Sequence, residues 1–376
     1  MKNKTHNLLV QYCKKCLMPT SRPRVQFDEN GVCNACNFVE VKNKINWSKR
    51  ENQLKEILNE IRSNDGSYDC IVPWSGGKDS SYVAYQLKFK YKMNPLLVTF
   101  APLLPNEIGQ KNKRKFIELG FDNITGQPNL KISKHLSKRF FIERGNPKTH
   151  WDAGVGCYPV QIAEKFNIRA IFYAEHAESE YGGRVISEEH TKMLKYEEVI
   201  EHVIEDHPSN WVDEVVTEND LQPYLYPEPE KISEKKIISY YYSFFERFDM
   251  YKNYLFIKEN MEFNTVKNRT VGTFTNFDSL DDYVDDLYYY MQYIKFGFGR
   301  CVRDTSRFIQ NGHLTRNKAL NLAKKYDGEF PQKILPMILE YYDFDRKEFE
   351  NIVDQHRNKE IWEYKEKNWS LIQKLY

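Results

Sequence analysis

Long apolar runs are what this sequence most plainly lacks. No eighteen consecutive apolar residues occur among its 376, so an ordinary membrane-spanning helix is not expected. The N-terminal stretch has no apolar segment of signal-peptide length, and a soluble, cytoplasmic protein is expected. An excess of one charge is also missing. The formal net charge of +2 gives no electrostatic case for nucleic acid or a membrane as partner. There is no internal repeat and no low-complexity linker. Cysteine is scarce and odd in number, seven in all, which with no secretory signal argues against a disulfide framework. What is present is core-forming material. Hydrophobic residues make up 41% and aromatics 15%, enough for two domains or for one with large additions.

Four of the cysteines fall in two pairs, Cys13-x-x-Cys16 and Cys33-x-x-Cys36, sixteen residues apart. Two such pairs, each on a tight turn, bring four thiolates to one tetrahedral metal. Pro19, Pro23, Asn30 and Gly31 supply turns between them, and Val25-Gln26-Phe27 is a short strand candidate. Four thiolates leave no open position, so a structural Zn²⁺ in a module spanning 1–47 is expected. Lys14, Lys15, Arg22 and Arg24 read as its solvated rim.

The second signal is Pro73-Trp74-Ser75-Gly76-Gly77-Lys78-Asp79-Ser80-Ser81. An apolar run, Cys70-Ile71-Val72, enters it and an amphipathic run, Tyr82 to Leu87, leaves it, which spells strand, glycine turn and helix start. Gly76 and Gly77 permit a sharp turn and close approach of backbone to ligand, with a positive φ expected at Gly77. Free N–H groups at the helix start, backed by the helix dipole, form a seat for phosphate. Lys78 adds a point charge, and Ser75, Ser80 and Ser81 add hydroxyls. A Walker A loop would need glycine where Val72 stands and a hydroxyl where Asp79 stands. The string S-G-G-x-D-S instead resembles the PP-loop of ATP pyrophosphatases, which release pyrophosphate from ATP and pass AMP to a carbonyl or amide oxygen.

Strand and helix patterns alternate from 48 to 190. A helix fits Leu54, Ile57, Leu58 and Ile61; strands fit 68–73, 95–100, 121–125 and 170–174; helices fit 106–119, 131–144 and 157–166. This is the pattern of an α/β domain with a parallel sheet covered on both faces, whose ligands sit beyond the carboxyl ends of the strands. From 191 to 376 the sequence turns aromatic and charged. Ile232 to Ile257 and Tyr283 to Phe296 read as helices, and a mostly helical region is expected there.

With cysteines and loop placed, nearly the whole chain resembles the N-acetyl sugar amidotransferases of bacterial O-antigen and pseudaminic- or legionaminic-type sugar biosynthesis. The resemblance rests on Cys13-Lys14-Lys15-Cys16-Leu17-Met18-Pro19, on Phe27 to Cys36, on the loop at Ser75, on Tyr293-Ile294-Lys295-Phe296-Gly297-Phe298-Gly299-Arg300, on Leu314-Thr315-Arg316 and on Asp327-Gly328. It implies an ATP- and Mg²⁺-dependent conversion of an acetamido sugar, as sugar nucleotide or nonulosonic acid, to the acetamidino form through an adenylylated imidate and ammonia. Lys78 and Asp79 would act in catalysis. A glutaminase and a cyclase-like, barrel-shaped ammonia-conducting subunit are the implied partners.

Other residues are open to two readings. Asp79 either helps position Mg²⁺ or caps the helix. Glu178 and Glu180, before Gly182-Gly183-Arg184, either meet Mg²⁺ or substrate or form a charged loop. Lys295, Arg300, Arg303 and Arg316 are candidates to clamp a diphosphate or carboxylate, since arginine binds such groups bidentately. Cys157 stands at an expected helix start, where its thiol would be activated or simply packed in the core. The competing function is a tRNA thiolase of the zinc-plus-PP-loop type. The single cysteines Cys70, Cys157 and Cys301 are isolated, and there is no third C-x-x-C. No cysteine follows Met1, so a built-in glutaminase of that type is not expected.

Overall fold

Alternation of buried side chains along the strands sets the architecture. The structure, a computed structural model, describes residues 9–185 and 187–375. Helices α1 (Asn34–Lys44) and α2 (Trp47–Ile61) lead to a sheet of five parallel strands. These are β1 (Cys70–Pro73), β2 (Pro95–Phe100), β3 (Asp122–Gly126), β4 (Ala170–Tyr173) and β5 (Ile238–Tyr241), in the order β3-β2-β1-β4-β5. Cys70 and Val72 face one side with Leu54 and Leu58 of α2. Ile71, between them, faces the other with Leu96, Val98 and Ile171. The period of two puts both faces in a core.

The crossovers are helical. α3 (Lys78–Tyr85) follows β1, α4 (Glu107–Glu118) follows β2, and α5 (Leu130–Arg144) with α6 (Thr149–Phe166) join β3 to β4. Strand order reverses between β1 and β4, and the loops leaving those two strands flank the crevice where ligands bind in open α/β sheets. α6 begins eight residues before Cys157, so that cysteine lies inside the helix and not at its start. Gly154 is there for packing: a Cβ on it would lie 2.2 Å from the Phe100 ring.

Short helices α7 (Ala177–Tyr181), α8 (Tyr196–Val199) and α9 (Pro229–Glu234) precede β5. The helix expected over Ile232 to Ile257 is thus broken by a strand. β5 runs parallel to β4 in the register Ala170↔Ile238 to Tyr173↔Tyr241. A short apolar run suits a buried strand or a buried helix equally, and here the open edge of β4 selects the strand. The sheet therefore draws its outer strand from beyond residue 190. After β5 come α10 (Met250–Met261), α11 (Val284–Phe296), α12 (Arg300–Gln310), α13 (Arg316–Tyr326), α14 (Leu335–Tyr342) and α15 (Arg346–Gln355), then a hairpin of β6 (Trp362–Lys365) and β7 (Asn368–Leu371). Val284, Leu287, Met291 and Ile294, at helical spacing on α11, pack with α14, α15 and Phe141 of α5. This locks the helical region onto the sheet domain. No helix among the described residues is long and apolar enough to cross a membrane.

Candidate functional site

The loop between β1 and α3 forms one wall of a cavity of about 460 Å³ beyond the carboxyl ends of β1 and β4. Gly76 carries the positive φ, +87°, and a Cβ there would lie 2.6 Å from Lys113 Cγ. Gly77, where the positive φ was expected, has φ −75° and is the N-cap of α3, with no side-chain cap bond. The turn is made one residue earlier, and Gly77 instead leaves the helix start bare. Its N–H reaches Ser75 Oγ at 3.3 Å. Ser75, Gly76, Gly77, Lys78, Asp79 and Ser80 all line the cavity. Ser81 is buried behind them and accepts the Trp74 Nε1–H bond at 2.8 Å, so its hydroxyl holds the loop.

Lys78 is 3% exposed. Its Nζ lies 2.8 Å from Asp79 Oδ2 and 2.7 Å from Asp278 Oδ1. Burial opposes its charge, but Asp278 and Asp79 outweigh burial and hold its pKa above the ordinary lysine value. Asp79 accepts a second bond from Asn253 Nδ2 at 2.9 Å; it is a partner of Lys78 and not the helix cap. Asp278 also meets Arg303 Nη2 at 3.3 Å. Burial works against its charge, yet Lys78, Arg303 and Arg300 keep its pKa well below the usual carboxylate range.

The rest of the cavity is acidic. Its lining holds six carboxylates, Asp79, Asp152, Glu175, Asp278, Asp281 and Asp285, against the three cations Lys78, Lys148 and Arg303. Burial, with the charge of Asp79 added, pushes Glu175 up to about 7, although the Tyr181 hydroxyl donates to it. Burial also raises Asp152 to about 7, and burial with Asp285 raises Asp281 to about 6. Lys148 is held charged against its burial by Asp285, to which it donates, and by Asp282 at 3.7 Å. No cysteine is among the cavity's lining residues.

The expected clamp residues separate in space. Arg303 lines the cavity, donating to the Tyr289 hydroxyl at 2.6 Å. Arg300 is 1% exposed and supports it from behind, donating to the Asp278 carbonyl at 2.6 Å. Arg316 donates to the carbonyls of Cys16 (3.2 Å) and Cys13 (3.4 Å), so it fastens the cysteine module. Glu178 does not reach the cavity. It accepts from Arg24 Nη2 at 2.7 Å and from the Arg184 N–H at 2.7 Å. Glu180 is paired with Lys42 at 2.7 Å. Lys295 lines a second, smaller cavity. In the segment Glu175 to Glu180 after the fourth strand, where ligands of such sheets lie, sequence reading weighed Glu178 and Glu180, whereas Glu175 is the residue that lines the cavity. Asp278 and Asp152 were missed, since they carry no local signal.

Cys13, Cys16, Cys33 and Cys36 converge. Their four sulfurs lie within 4.8 Å of one another and all four residues are buried. Cys13 and Cys36 sulfurs are 3.9 Å apart, Cys16 and Cys33 sulfurs 3.6 Å. A tetrahedron of zinc–sulfur bonds of about 2.3 Å has edges of about 3.8 Å. The donor set therefore fits a metal such as zinc. Backbone N–H groups of Cys16 and Cys33 point at Cys13 Sγ, at 3.4 and 3.3 Å. Leu17 and Met18 pack with Phe298 and Val302 and with Ala319 and Ala323, so the module rests on α12 and α13.

Fold and site together define an α/β protein with a glycine loop at the switch point of a parallel sheet and a buried four-cysteine centre packed against α12 and α13. Residues 271–376 match the family model for the C-terminal domain of WbpG-like LPS biosynthesis proteins. This supports an LPS-biosynthesis family for the chain. The matched stretch supplies Asp278, Asp281, Asp285, Tyr288, Tyr289 and Arg303, one whole side of the main cavity. The chain is also similar to an uncharacterized protein of Methanocaldococcus jannaschii, 32% identical over 87 residues, or 23% of this chain. It spans about a third, 31%, of that relative's length.

Proposed function

We propose that this chain is an ATP-dependent amidotransferase of LPS-type sugar biosynthesis, converting an acetamido group to an acetamidino group. The observation that carries the reading is the loop Ser75–Ser80, with the uncapped start of α3 and buried, charged Lys78, lining a cavity large enough for a nucleotide. The acceptor's amide oxygen attacks the α-phosphorus of ATP and pyrophosphate leaves. An amide oxygen is a poor leaving group; adenylylated, it departs as AMP when ammonia attacks the imidate carbon and a proton is lost. Loop N–H groups and Lys78 offset the charge that develops on the departing pyrophosphate. The carboxylate excess suits a Mg²⁺ ion travelling with the polyphosphate. The cysteine centre would hold Zn²⁺ in a structural role. Ammonia comes, on this reading, from a glutaminase through a barrel-shaped conducting subunit, which keeps the imidate from hydrolysing.

The test is product analysis of the purified chain with ATP, Mg²⁺, ammonium and acetamido sugars. AMP, pyrophosphate and an amidine are expected, faster as pH rises and ammonia replaces ammonium, and no turnover is expected with glutamine alone. ADP with phosphate, or glutamine hydrolysis by the isolated chain, would overturn the reading.

A further inference from the structure

The second cavity, about 210 Å³, has the opposite electrostatic character to the first. Four cations line it, Arg22, Arg24, Arg144 and Lys295, and a single carboxylate, that of exposed Glu205. Two of the cations are already committed. Arg24 is bound to Glu178 at 2.7 Å and Arg144 to Asp206 at 3.0 Å. The other two are not. Arg22 Nε donates to the Gly182 carbonyl at 2.8 Å, and Lys295 Nζ to the Arg144 carbonyl at 2.8 Å. Among the described residues neither is within ion-pair distance of a carboxylate. Burial lowers the pKa of both, Arg22 to about 10. Thr149, the first residue of the 18-residue helix α6, also lines the cavity, and α6 has no side-chain cap. Its dipole adds positive potential at the same place. Tyr288 lines both cavities, so the two adjoin at its ring. Its hydroxyl makes no hydrogen bond among the described residues.

We propose that this cavity seats the anionic group of the sugar acceptor, a phosphate or a carboxylate, while the acetamido end reaches past Tyr288 to the ATP loop. The inference rests on the amidotransferase reading and adds to it the place where the acceptor's anionic group is held, at Arg22 and Lys295. Metal-free anions are repelled by the carboxylates of the main cavity. In the second cavity they complete two half-buried cations that lack a carboxylate partner, and guanidinium and ammonium groups bind phosphate or carboxylate with charge-assisted hydrogen bonds. Arg22 lies between the two cysteine pairs, so the cysteine module itself builds part of the acceptor seat.

Calorimetric titration of the full chain with three probes tests this: UDP-N-acetylglucosamine, N-acetylneuraminic acid and neutral N-acetylglucosamine. At least one anionic probe should bind tenfold or more tightly than the neutral sugar, and which one binds distinguishes a diphosphate from a carboxylate. Lys295→Gln and Arg22→Gln should each weaken that binding tenfold or more, with ATP affinity and metal content unchanged. Equal binding of neutral and anionic probes, no binding of either anion, or undiminished binding in both variants would overturn the proposal. Failure of the two readings is distinguishable. Amidine formation with an unchanged sugar KM in both variants refutes the seat alone. Charge-dependent sugar binding lost in both variants, without any amidine formed, refutes the amidotransferase alone.

Discussion

Lys78 and Asp278 stand 200 residues apart in the chain and 2.7 Å apart in space. The pair joins the loop after β1 to the segment that precedes α11, so the floor and one wall of the cavity form only when the two halves of the chain are docked. Asp278 also holds Arg303, and Arg300 holds the Asp278 carbonyl. Asp278→Asn keeps the shape and removes the charge. It should lower stability by roughly 1–3 kcal/mol, the cost of depriving buried charged groups of a partner, and reduce AMP formation tenfold or more. Urea unfolding and an AMP assay measure the two effects. Unchanged values in both would show that the pair does not organise the site.

The two loop glycines should differ. Gly76 has a left-handed φ and its added Cβ meets Lys113, whereas Gly77 has φ −75° and its added Cβ meets Ser75 Oγ at 3.2 Å. Gly76→Ala carries backbone strain of about 1–3 kcal/mol as well as the clash. Fluorescent ATP-analogue titration should show at least a tenfold loss for Gly76→Ala and less than a threefold change for Gly77→Ala. Equal effects would mean that ligand approach, not backbone conformation, dominates at both positions.

Elemental analysis should find one zinc per chain, absent in Cys33→Ser. Metal binding and folding are coupled in such modules. Here the module is also tied down by Arg316 to the Cys13 and Cys16 carbonyls and by Arg24 to Glu178. Chelation should therefore lower the unfolding temperature of the whole chain and expose residues 9–45 to protease. A native protein without metal would refute this.

The legible parts of this molecule were the local ones. Cys13 to Cys36 spans a few turns, and the loop at Ser75 announces itself by a strand before it and a helix after it. Both are dictated by spacing. β5 was hidden because Ile238-Ser239-Tyr240-Tyr241 has no periodicity of its own; only the free edge of β4 makes it a strand. Asp278 was hidden for the same kind of reason, being an acidic residue in a loop until the fold places it against Lys78. Arginines misled in the other direction. Arg300, Arg303 and Arg316 look alike in sequence, yet one is a buried support, one lines the cavity and one fastens the cysteine module.

Stability should depend on pH through Glu175. Its folded pKa, about 7, lies above the ordinary glutamate value, so the folded chain holds this proton to higher pH than the unfolded chain does. The stabilising contribution is complete below about pH 4 and is lost as pH rises through 7. Glu175→Gln cannot ionise and keeps an oxygen to accept from Tyr181. In metal-free buffer the unfolding temperature of the wild type should fall relative to this variant between pH 5 and 8. Mg²⁺ with ATP should close the gap at pH 8 if the carboxylate faces the metal. Parallel curves for the two proteins would refute the assignment.

The single cysteines decide between amide activation and sulfur transfer. A thiolase needs a nucleophilic thiol that can reach the activated oxygen, and thiolate character governs that reactivity. Cys70, Cys157 and Cys301 are each 0% exposed, and burial raises all three thiols above the ordinary range. Cys157 donates to the Pro223 carbonyl at 3.1 Å, and nearby His150 is engaged with Ser133 Oγ at 3.1 Å. The native zinc-loaded protein should therefore resist a thiol reagent such as DTNB until it is denatured, when all seven cysteines should titrate. Cys157→Ala and Cys301→Ala should retain AMP and pyrophosphate formation within about threefold, with stability costs of about 1 kcal/mol for the small cavities left behind. Rapid modification of one cysteine in the folded chain, together with loss of turnover in its alanine variant, would favour sulfur transfer over the amidotransferase reading.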